Sequence, residues 1–467
     1  MRARLTGVLV LLVLTAACGA RVDDDQRAAA NGLAVGVADG ATATSDGARS
    51  TTETSTAGHE AAVGANAVAT PAPGETTTAA ASPADNGGAT DIGVTGDAVR
   101  LGNVSTLSGP VPGLFRGAVI GTQAVVAYQN SLGGIHGRRL VLDVRDDQLD
   151  SAQNRAATRD LIDKVFAFAG SFAVYDDASA AEVEKSGIPD VTPALSGARR
   201  RLTNNFNVAP AEDGGTQLGP FTYYKSKFPD EIKAVGTLWG DVPISKTSQM
   251  SNEAAGASLG WNFIYSRGYQ PTETDFTADV VRMRQEGVRL VFLAGSEPKT
   301  LARIAKAMRQ QSFNVPIVTM NIGYDASLVP LAADALEGMY TTMAWSMFAG
   351  EDAAAVPEVR LMNEWMQKVK PGYAPDLYAL LGWASGRLLF KGMEQVGPRL
   401  TRAAVNDALR NSGTFDANRL LAPADPGKKV PPTCIVATIL RGGRYERVDS
   451  PPTGYRCDLG GYFRSRR

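Results

Sequence analysis

The fold of this 467-residue chain is constrained most by a regular alternation of apolar, strand-like segments and amphipathic, helix-like segments. Such alternation is typical of α/β domains, in which helices cover both faces of a parallel sheet. The pattern begins near Val99 and restarts after about Pro210, which predicts two doubly wound lobes. A further helix is expected to be capped by Ser151. The predicted strands span 99–104, 139–144, 165–169, 234–239, 262–265, 289–293 and 317–320, and the predicted helices span 116–131, 245–259, 276–286 and 298–311.

The N-terminal residues 1–17 have the layout of a secretory signal. Arg2 and Arg4 precede an unbroken apolar run over 8–14, which is too short to cross a bilayer as a helix. The small residues that follow end at Cys18. The segment 14–18 resembles the lipobox of bacterial lipoproteins, which implies that Cys18 is lipid-modified and anchors an extracytoplasmic protein to the cell membrane. An ordinary cleaved signal with an incidental cysteine is the alternative.

Residues 18–90 form a segment rich in Ala, Thr and Gly. The segment contains no aromatic residue, and the first one in the chain is Phe115. Such a composition cannot bury enough apolar surface to offset the entropy of ordering the chain. We therefore expect a disordered linker between the anchor and the folded lobes.

The C-terminal region continues with a predicted helix over 401–411 and two predicted strands over 434–440 and 445–448. Gly442-Gly443 between these strands is typical of a hairpin turn. Cys434 and Cys457 form an even pair in a chain that we expect to be exported, which predicts a disulfide. Two free thiols are the alternative.

Composition argues against several classes of function. The net charge of −1 lacks the basic excess of a nucleic-acid binder. The two histidines, His59 and His136, lie in the predicted linker and in a glycine-flanked turn, so a Ser-His-Asp triad would have to use His136. The chain has no nucleophile elbow, zinc-binding spacing or nucleotide-binding glycine loop. We expect neither an enzyme nor a bound metal or cofactor.

Several short motifs follow one another along the chain in an order that is typical of one protein family. They are 99–103, 106–111, 132–137, Asp146-Asp147, 187–196, 274–278 and 337–339. In this order they resemble type I periplasmic binding proteins, closest to the leucine/isoleucine/valine-binding family that feeds ABC importers. The resemblance implies two doubly wound parallel-sheet lobes joined by three hinge crossings, near 209–213, 341–347 and 413–434. The implied first lobe is 97–210 plus about 347–413, and the second is 211–343 plus about 430–467.

The resemblance also implies ligand-binding residues. The family's Ala carbonyl and nearby hydroxyl fall on Ala194 and Ser196. Its carboxylate-binding Ser falls on Ala173, its Tyr on Ser296 and its ammonium-pairing Glu near Asn321. Because a buried ammonium without a carboxylate partner costs several kcal/mol, the sequence weakens the case for an unmodified amino acid. Neutral or acidic small molecules with an apolar body are favoured instead.

The loops after the strand ends supply further candidates, since ligands bind there in open α/β sheets. Aromatic side chains could sandwich an apolar ligand, and an acidic one could pair with a cationic or amide group. A core role for Phe172 and a helix-capping role for Asp176 remain open, and Arg199–Arg201 is predicted to be solvated. The further candidates are Ser108, Phe115, Phe172, Tyr175, Asp176, Trp239 and Tyr324.

The sequence therefore predicts a monomeric, lipid-anchored extracytoplasmic protein that closes on a small organic ligand of the amino acid, amide or carboxylate type. An ABC permease is the expected partner, and no nucleic-acid partner is expected. The alternative is a sensor that presents its closed form to a membrane signalling protein, since sensing needs the same two-state cleft.

Overall fold

The computed structural model of the protein describes residues 86–212 and 214–464. The predicted signal segment 1–17, Cys18 and most of the predicted linker lie outside the described residues. The end of that linker belongs to the folded region. Asn86 is fully buried, and the buried guanidinium of Arg138 donates hydrogen bonds to the carbonyl oxygens of Asn86 and Gly88. Because a buried guanidinium needs acceptors, these contacts join the start of the folded region to the first sheet.

The first lobe is built on a four-stranded sheet in which all strands run parallel, in the order β2-β1-β3-β4. Its central strands are apolar and buried, as expected for a sheet covered on both faces. The strands are β1 (Ala98–Ser105), β2 (Arg139–Asp146), β3 (Ala167–Ala169) and β4 (Asp190–Val191), and the helices between and after them are α1 (Arg116–Ser131), α2 (Ser151–Ile162), α3 (Ala180–Ser186) and α4 (Gly197–Arg200).

Two local expectations about this lobe need correction. Helix α2 is capped by Asp150, whose carboxylate accepts a hydrogen bond from the backbone N–H of Gln153 at 2.8 Å, and Ser151 is the first helical residue. The strand expected over 165–169 begins only at Ala167, where the regular pairing with β1 starts, although Phe166 already donates its backbone N–H to the carbonyl of Arg100.

The second lobe holds a seven-stranded sheet in the order β12-β11-β10-β9-β8-β6-β7. The strands from β6 to β10 pair in parallel, and β11 and β12 form the predicted antiparallel hairpin at one edge. The elements up to the end of the parallel part are β5 (Gly215–Gln217), α5 (Gly219–Lys227), β6 (Val235–Gly240), α6 (Pro243–Ser258), β7 (Phe263–Tyr269), α7 (Thr277–Gln285), β8 (Leu290–Phe292), α8 (Pro298–Gln310), β9 (Ile317–Met320), α9 (Leu328–Ala332) and β10 (Tyr340–Met343).

The chain then returns to the first lobe before it completes the second sheet. Helices α10 and α11 pack against α1. The α1–α11 contact is close because it contains glycines: a Cβ at Gly121 would lie 1.9 Å from the carbonyl oxygen of Ala379, and one at Gly382 would lie 2.2 Å from that of Ala118. The remaining elements are α10 (Pro357–Val369), α11 (Leu377–Val396), α12 (Arg402–Arg410), β11 (Val436–Arg441), β12 (Arg444–Arg447) and β13 (Tyr462–Arg464).

This route makes three crossings between the lobes, after β4, after β10 and after α12. The second and third crossings hydrogen-bond to each other, since Ser346 donates its N–H to the carbonyl of Leu420 at 3.0 Å and Ala422 donates to Ala344 at 2.8 Å. Short paired segments of this kind can bend together while the lobes stay intact.

The C-terminal tail is tied to the first crossing. A disulfide joins Cys434 to Cys457, as the sequence predicted, and the tail ends in β13, which pairs antiparallel with β5. Arg464 adds a two-point ion pair to Glu212, at 2.7 and 2.8 Å. The tail therefore stabilises the segment that leads into the second lobe.

A buried ion pair supports the end of the first sheet. The guanidinium of Arg199 contacts both carboxylate oxygens of Asp190, at 2.7 and 3.0 Å, and both side chains are almost fully buried. The prediction that 199–201 is a solvated loop was therefore wrong at Arg199. The side chain is pulled inward because Asp190 lies on β4 and has no access to solvent.

We expect Arg199→Met to lower the free energy of unfolding by about 3–5 kcal/mol, because it leaves Asp190 charged and buried without its cation. The control is Arg159→Met, which removes an exposed pair with Glu182 and should cost less than about 1 kcal/mol. Urea unfolding of both variants tests this, and equal losses would show that the buried pair contributes no more than a surface pair.

Candidate functional site

A cavity of about 260 Å³ lies where the three crossings meet, and we call it the crossing cavity. All three crossings contribute to its wall, through 209–212 and 214–217, 344–345 and 431–432. Arg200 reaches it from the first lobe. The second lobe contributes the ends of β8 and β9 and one face of α6. The lining from the second lobe and the tail includes Thr247, Ser251, Asn252, Ala294, Asn321 and Tyr462.

A second cavity, also of about 260 Å³, lies beside the first, and we call it the lip cavity. Its first-lobe wall is formed by Val174, Tyr175 and the segment 195–197, and its second-lobe wall by Pro243 and Ile244. Arg200 and Thr247 line both cavities, so the two are adjacent. The lip cavity is mainly apolar, whereas the crossing cavity is rich in hydroxyl and amide groups. Together they can take a small molecule with one polar end.

Arg200 donates a hydrogen bond to the Ala194 carbonyl, the group that the family resemblance assigned to ligand binding. Its Nε donates to the carbonyl oxygen of Ala194 at 3.0 Å, and its Nη2 donates to that of Leu195 at 2.6 Å. The Ala194 carbonyl therefore already accepts a hydrogen bond from a cation. The sequence pattern showed a run of arginines here but not which of them reaches the cavities.

The lip-cavity residue Ser196 is held in place by Asp176. The Asp176 carboxylate accepts hydrogen bonds from the backbone N–H groups of Leu195 at 2.7 Å and Ser196 at 3.0 Å. The Ser196 hydroxyl in turn accepts from the N–H of Arg199 at 3.1 Å and caps α4. Burial raises the pKa of Asp176, and the charge of Arg199 opposes this rise. Asp176 thus positions the cavity wall instead of capping the helix that follows it.

The aromatic candidates divide between the core and the cavities. Phe115 and Phe172 are 5% and 6% exposed and pack on each other with ring centroids 4.5 Å apart, and both contact Tyr378. They form part of the first-lobe core. Tyr175 is half-buried and lines the lip cavity. Trp239 covers Gly268 and Gly295, and its Nε1 donates to the hydroxyl of Ser266 at 3.4 Å.

The remaining candidates are mostly held by hydrogen bonds inside the protein. The Ser296 hydroxyl is fully buried and donates to the carbonyl of Leu238 at 3.0 Å. The Ser108 hydroxyl donates to the carboxylate of Asp146. Tyr324 is buried and donates its hydroxyl proton to Glu351. These three residues therefore stabilise loops near the strand ends. The sequence pattern predicted that they lie near the strand ends, but it could not predict their hydrogen-bond partners.

Asn321 and Trp345 are the two cavity-lining residues with unmatched polar atoms. Asn321 has a left-handed backbone with φ of 48° and lines the crossing cavity. Its Oδ1, like the Nε1 of the 5%-exposed Trp345, is buried and has no hydrogen-bond partner among the described residues. The sequence analysis missed Trp345. Its position directly after β10, within the predicted second crossing, was the signal that could have found it.

A separate group of acidic residues lies near the core aromatic cluster. The Asp376 carboxylate caps α11 by accepting from the N–H of Ala379 at 2.7 Å and accepts from the hydroxyl of Tyr373 at 2.5 Å. Burial raises the pKa of Asp376 to about 6, and the charge of Asp325 raises it further. Burial also raises the pKa of Tyr378, with added effects from Asp376, Asp325 and Glu297. Asp325 and Glu297 belong to the second lobe, so charges of that lobe lie within electrostatic reach of Asp376 and Tyr378.

Comparison with known proteins identifies the architecture. A family model described as "Periplasmic binding protein" matches residues 98–432. The chain belongs to the periplasmic binding protein family. In sequence and fold it is similar to type I, Leu/Ile/Val-binding proteins. Family members are solute-binding proteins and not enzymes, and they work outside the cytoplasm.

Three similar proteins illustrate the range of the family. The Leu/Ile/Val-binding protein homolog 1 of Brucella abortus is 24% identical over 315 residues, which are 65% of this chain and 80% of that protein. The fatty acid ABC transporter substrate-binding protein of Thermomonospora curvata has a TM-score of 0.66 at 18% identity, covering 79% of this chain and 95% of that one. The leucine binding protein LivK of Thermotoga maritima has a TM-score of 0.63 at 19% identity, covering 75% and 98%.

A metal site and a membrane-spanning helix are both absent from the described part of this family member. Within residues 86–212 and 214–464, no group of three or more His, Cys, Asp or Glu side chains is arranged to hold a metal ion. In the same part of the chain, no helix combines the length and the apolar character needed to cross a membrane.

The raised pKa of Asp376 predicts a specific pH dependence. The pKa of Asp376 is about 6 in the folded protein and 3.8 ordinarily, so the fold favours the protonated carboxyl over the charged one. The resulting stabilisation is fully present below about pH 4 and is lost as the pH rises through 6. The wild type should therefore lose about 2.5 kcal/mol relative to Asp376→Asn between pH 4 and 7. Urea unfolding at several pH values measures the difference, and parallel stability profiles would contradict the prediction.

Proposed function

We propose that this protein is an extracytoplasmic solute-binding lipoprotein that captures a small organic ligand between its lobes and delivers it to an ABC importer. The observation that carries the proposal is the crossing cavity, whose wall is formed by both lobes and all three crossings. A ligand in such a cavity contacts every segment that must bend when the lobes move. The chain is similar to both a leucine-binding and a fatty-acid-binding protein, which is consistent with a small ligand. The chemical class of that ligand has to be inferred from the residues that line the cavities.

Closure would follow from contacts made by both lobes. A ligand that touches only one lobe has the same affinity for the open and closed forms, so it does not shift the equilibrium between them. A ligand in the two cavities touches Ser196 and Arg200 of the first lobe together with Thr247 and Ile244 of the second. It therefore favours the form in which these walls approach, and a permease can distinguish that form from the open one.

The proposed anchor would keep this binding event near the membrane. Lipidation of Cys18 would hold the chain through acyl groups, each buried methylene contributing about 0.8 kcal/mol. The segment 18–85 would then act as a tether, with a mean reach of roughly 45 Å if it is a flexible coil. That distance is sufficient for the lobes to reach a permease in the same membrane.

The binding proposal is tested by calorimetric titration of the full chain carrying Cys18→Ser against amino acids, small amides, aromatic acids and short-chain carboxylates. We expect at least one class to bind, and a ligand at 100 times its dissociation constant to add about 2.7 kcal/mol to the free energy of unfolding. The absence of binding and of any stabilisation across all classes would refute the proposal.

A steric variant locates the binding site. Thr247→Trp should weaken binding by about tenfold or more, because the new ring overfills the junction of the two cavities. Lys246→Trp is the matched control, since this exposed neighbour on α6 lines neither cavity. Equal affinities of the two variants would place the ligand elsewhere.

The anchor is tested with the native secretion signal. We expect the wild type to appear in the membrane fraction and to incorporate radiolabelled palmitate, and Cys18→Ser to lose both properties. Wild-type protein that is released without label would show that Cys18 follows an ordinary cleavage site.

A further inference from the structure

The wall of the crossing cavity includes a buried hydrogen-bond donor that has no acceptor among the described residues. Trp345 is 95% buried and lines this cavity, and its Nε1 has no acceptor among the described residues. An indole N–H can donate but cannot accept. Because leaving such a group unmatched is unfavourable, a ligand that brings an oxygen acceptor to this position gains affinity.

Two neighbours in the lining can also contact an acceptor. The Asn321 side chain makes no hydrogen bond to the described residues, and its amide can present either NH₂ or oxygen to a ligand, since the two ends are interchangeable by a rotation. The Arg200 side chain lines both cavities, and its guanidinium donates to the carbonyl oxygens of Ala194 and Leu195. An indole N–H and an amide NH₂ together suit a carboxylate.

Several acceptors that an ammonium group could use already accept hydrogen bonds from arginines. The carbonyl oxygens of Ala194 and Leu195 accept from Arg200 at 3.0 and 2.6 Å. Glu212, a carboxylate in the lining of the crossing cavity, accepts from Arg464 at 2.7 and 2.8 Å. Asp177, in the lining of the lip cavity, is exposed to solvent, where pairing with an ammonium contributes little.

The lip cavity suits the other end of the molecule. Val174, Tyr175 and Leu195 face Pro243 and Ile244 across it. An apolar chain or ring placed there would be removed from water on both sides, which is favourable in proportion to the area buried.

We infer that the ligand is a small carboxylic acid that has an apolar body and no amino group. Its carboxylate accepts hydrogen bonds from Trp345 and Asn321 in the crossing cavity, and its apolar body lies in the lip cavity. This inference rests on the proposed function and names its ligand class.

Matched ligands test the class directly. The full chain carrying Cys18→Ser is titrated with 4-methylpentanoate, with its amide and with leucine, and with 3-phenylpropanoate and phenylalanine. We expect each acid to bind at least about tenfold more tightly than its amide or amino acid partner. Equal or tighter binding of the amino acids would overturn the inference and leave the proposed function standing. Failure of every acid to bind at millimolar concentration would also overturn it, and the wider titration above decides the function separately.

Two variants test the assigned contacts. Trp345→Phe keeps the ring and removes the N–H, so it should weaken the acid by about tenfold. Trp365→Phe, on the outer helix α10, should leave the acid affinity unchanged. Asn321→Asp should weaken the acid and strengthen the amino acid, because it replaces an amide with a carboxylate. These opposite changes separate a binding role from misfolding, which would weaken both ligands. An unchanged acid affinity in Trp345→Phe would refute the assigned contact.

Discussion

The close packing of α11 on α1 is the contact on which the two-lobe architecture depends. Gly121 and Gly382 allow the two helix backbones to approach until a single added Cβ would collide with a carbonyl oxygen of the partner helix. This contact brings the chain back to the first lobe after β10, so the chain must cross a second and a third time. The three crossings form the wall of the crossing cavity. The site thus follows from a helix contact distant from it in sequence.

Buried electrostatics link that architecture to the chemistry of the cavities. Asp190 holds Arg199 inside the first lobe, and Asp176 holds the backbone of 195–196. Between them these contacts place α4, and α4 ends at Arg200, whose guanidinium reaches the cavities. A charged pair in the interior is expensive to leave incomplete. The position of the cavity cation is therefore set by groups that do not touch the ligand site.

The elements of the fold were largely predictable because apolar periodicity reports directly on which residues are buried. The helix α1 and the strand β9 have the predicted bounds, and the hairpin and the disulfide are as expected. The site was less predictable. Phe115 and Phe172 lie in the core although they follow strand ends, because Tyr378 from the returning helix covers them. No local pattern near these residues indicates a partner that lies more than 200 positions further along the chain.

The sequence by itself determined the α/β class, the two arrays of strands and helices, the family and the pairing of Cys434 with Cys457. Each of these depends on local periodicity, on ordered motifs or on the number of cysteines in an exported chain. Only the tertiary structure decided which polar groups meet in the cavities: that Arg200 covers the Ala194 carbonyl and that Trp345 is left with an unmatched N–H. The physical reason is that a hydrogen bond depends on positions within a fraction of an ångström, and these are set by contacts between segments far apart in the chain.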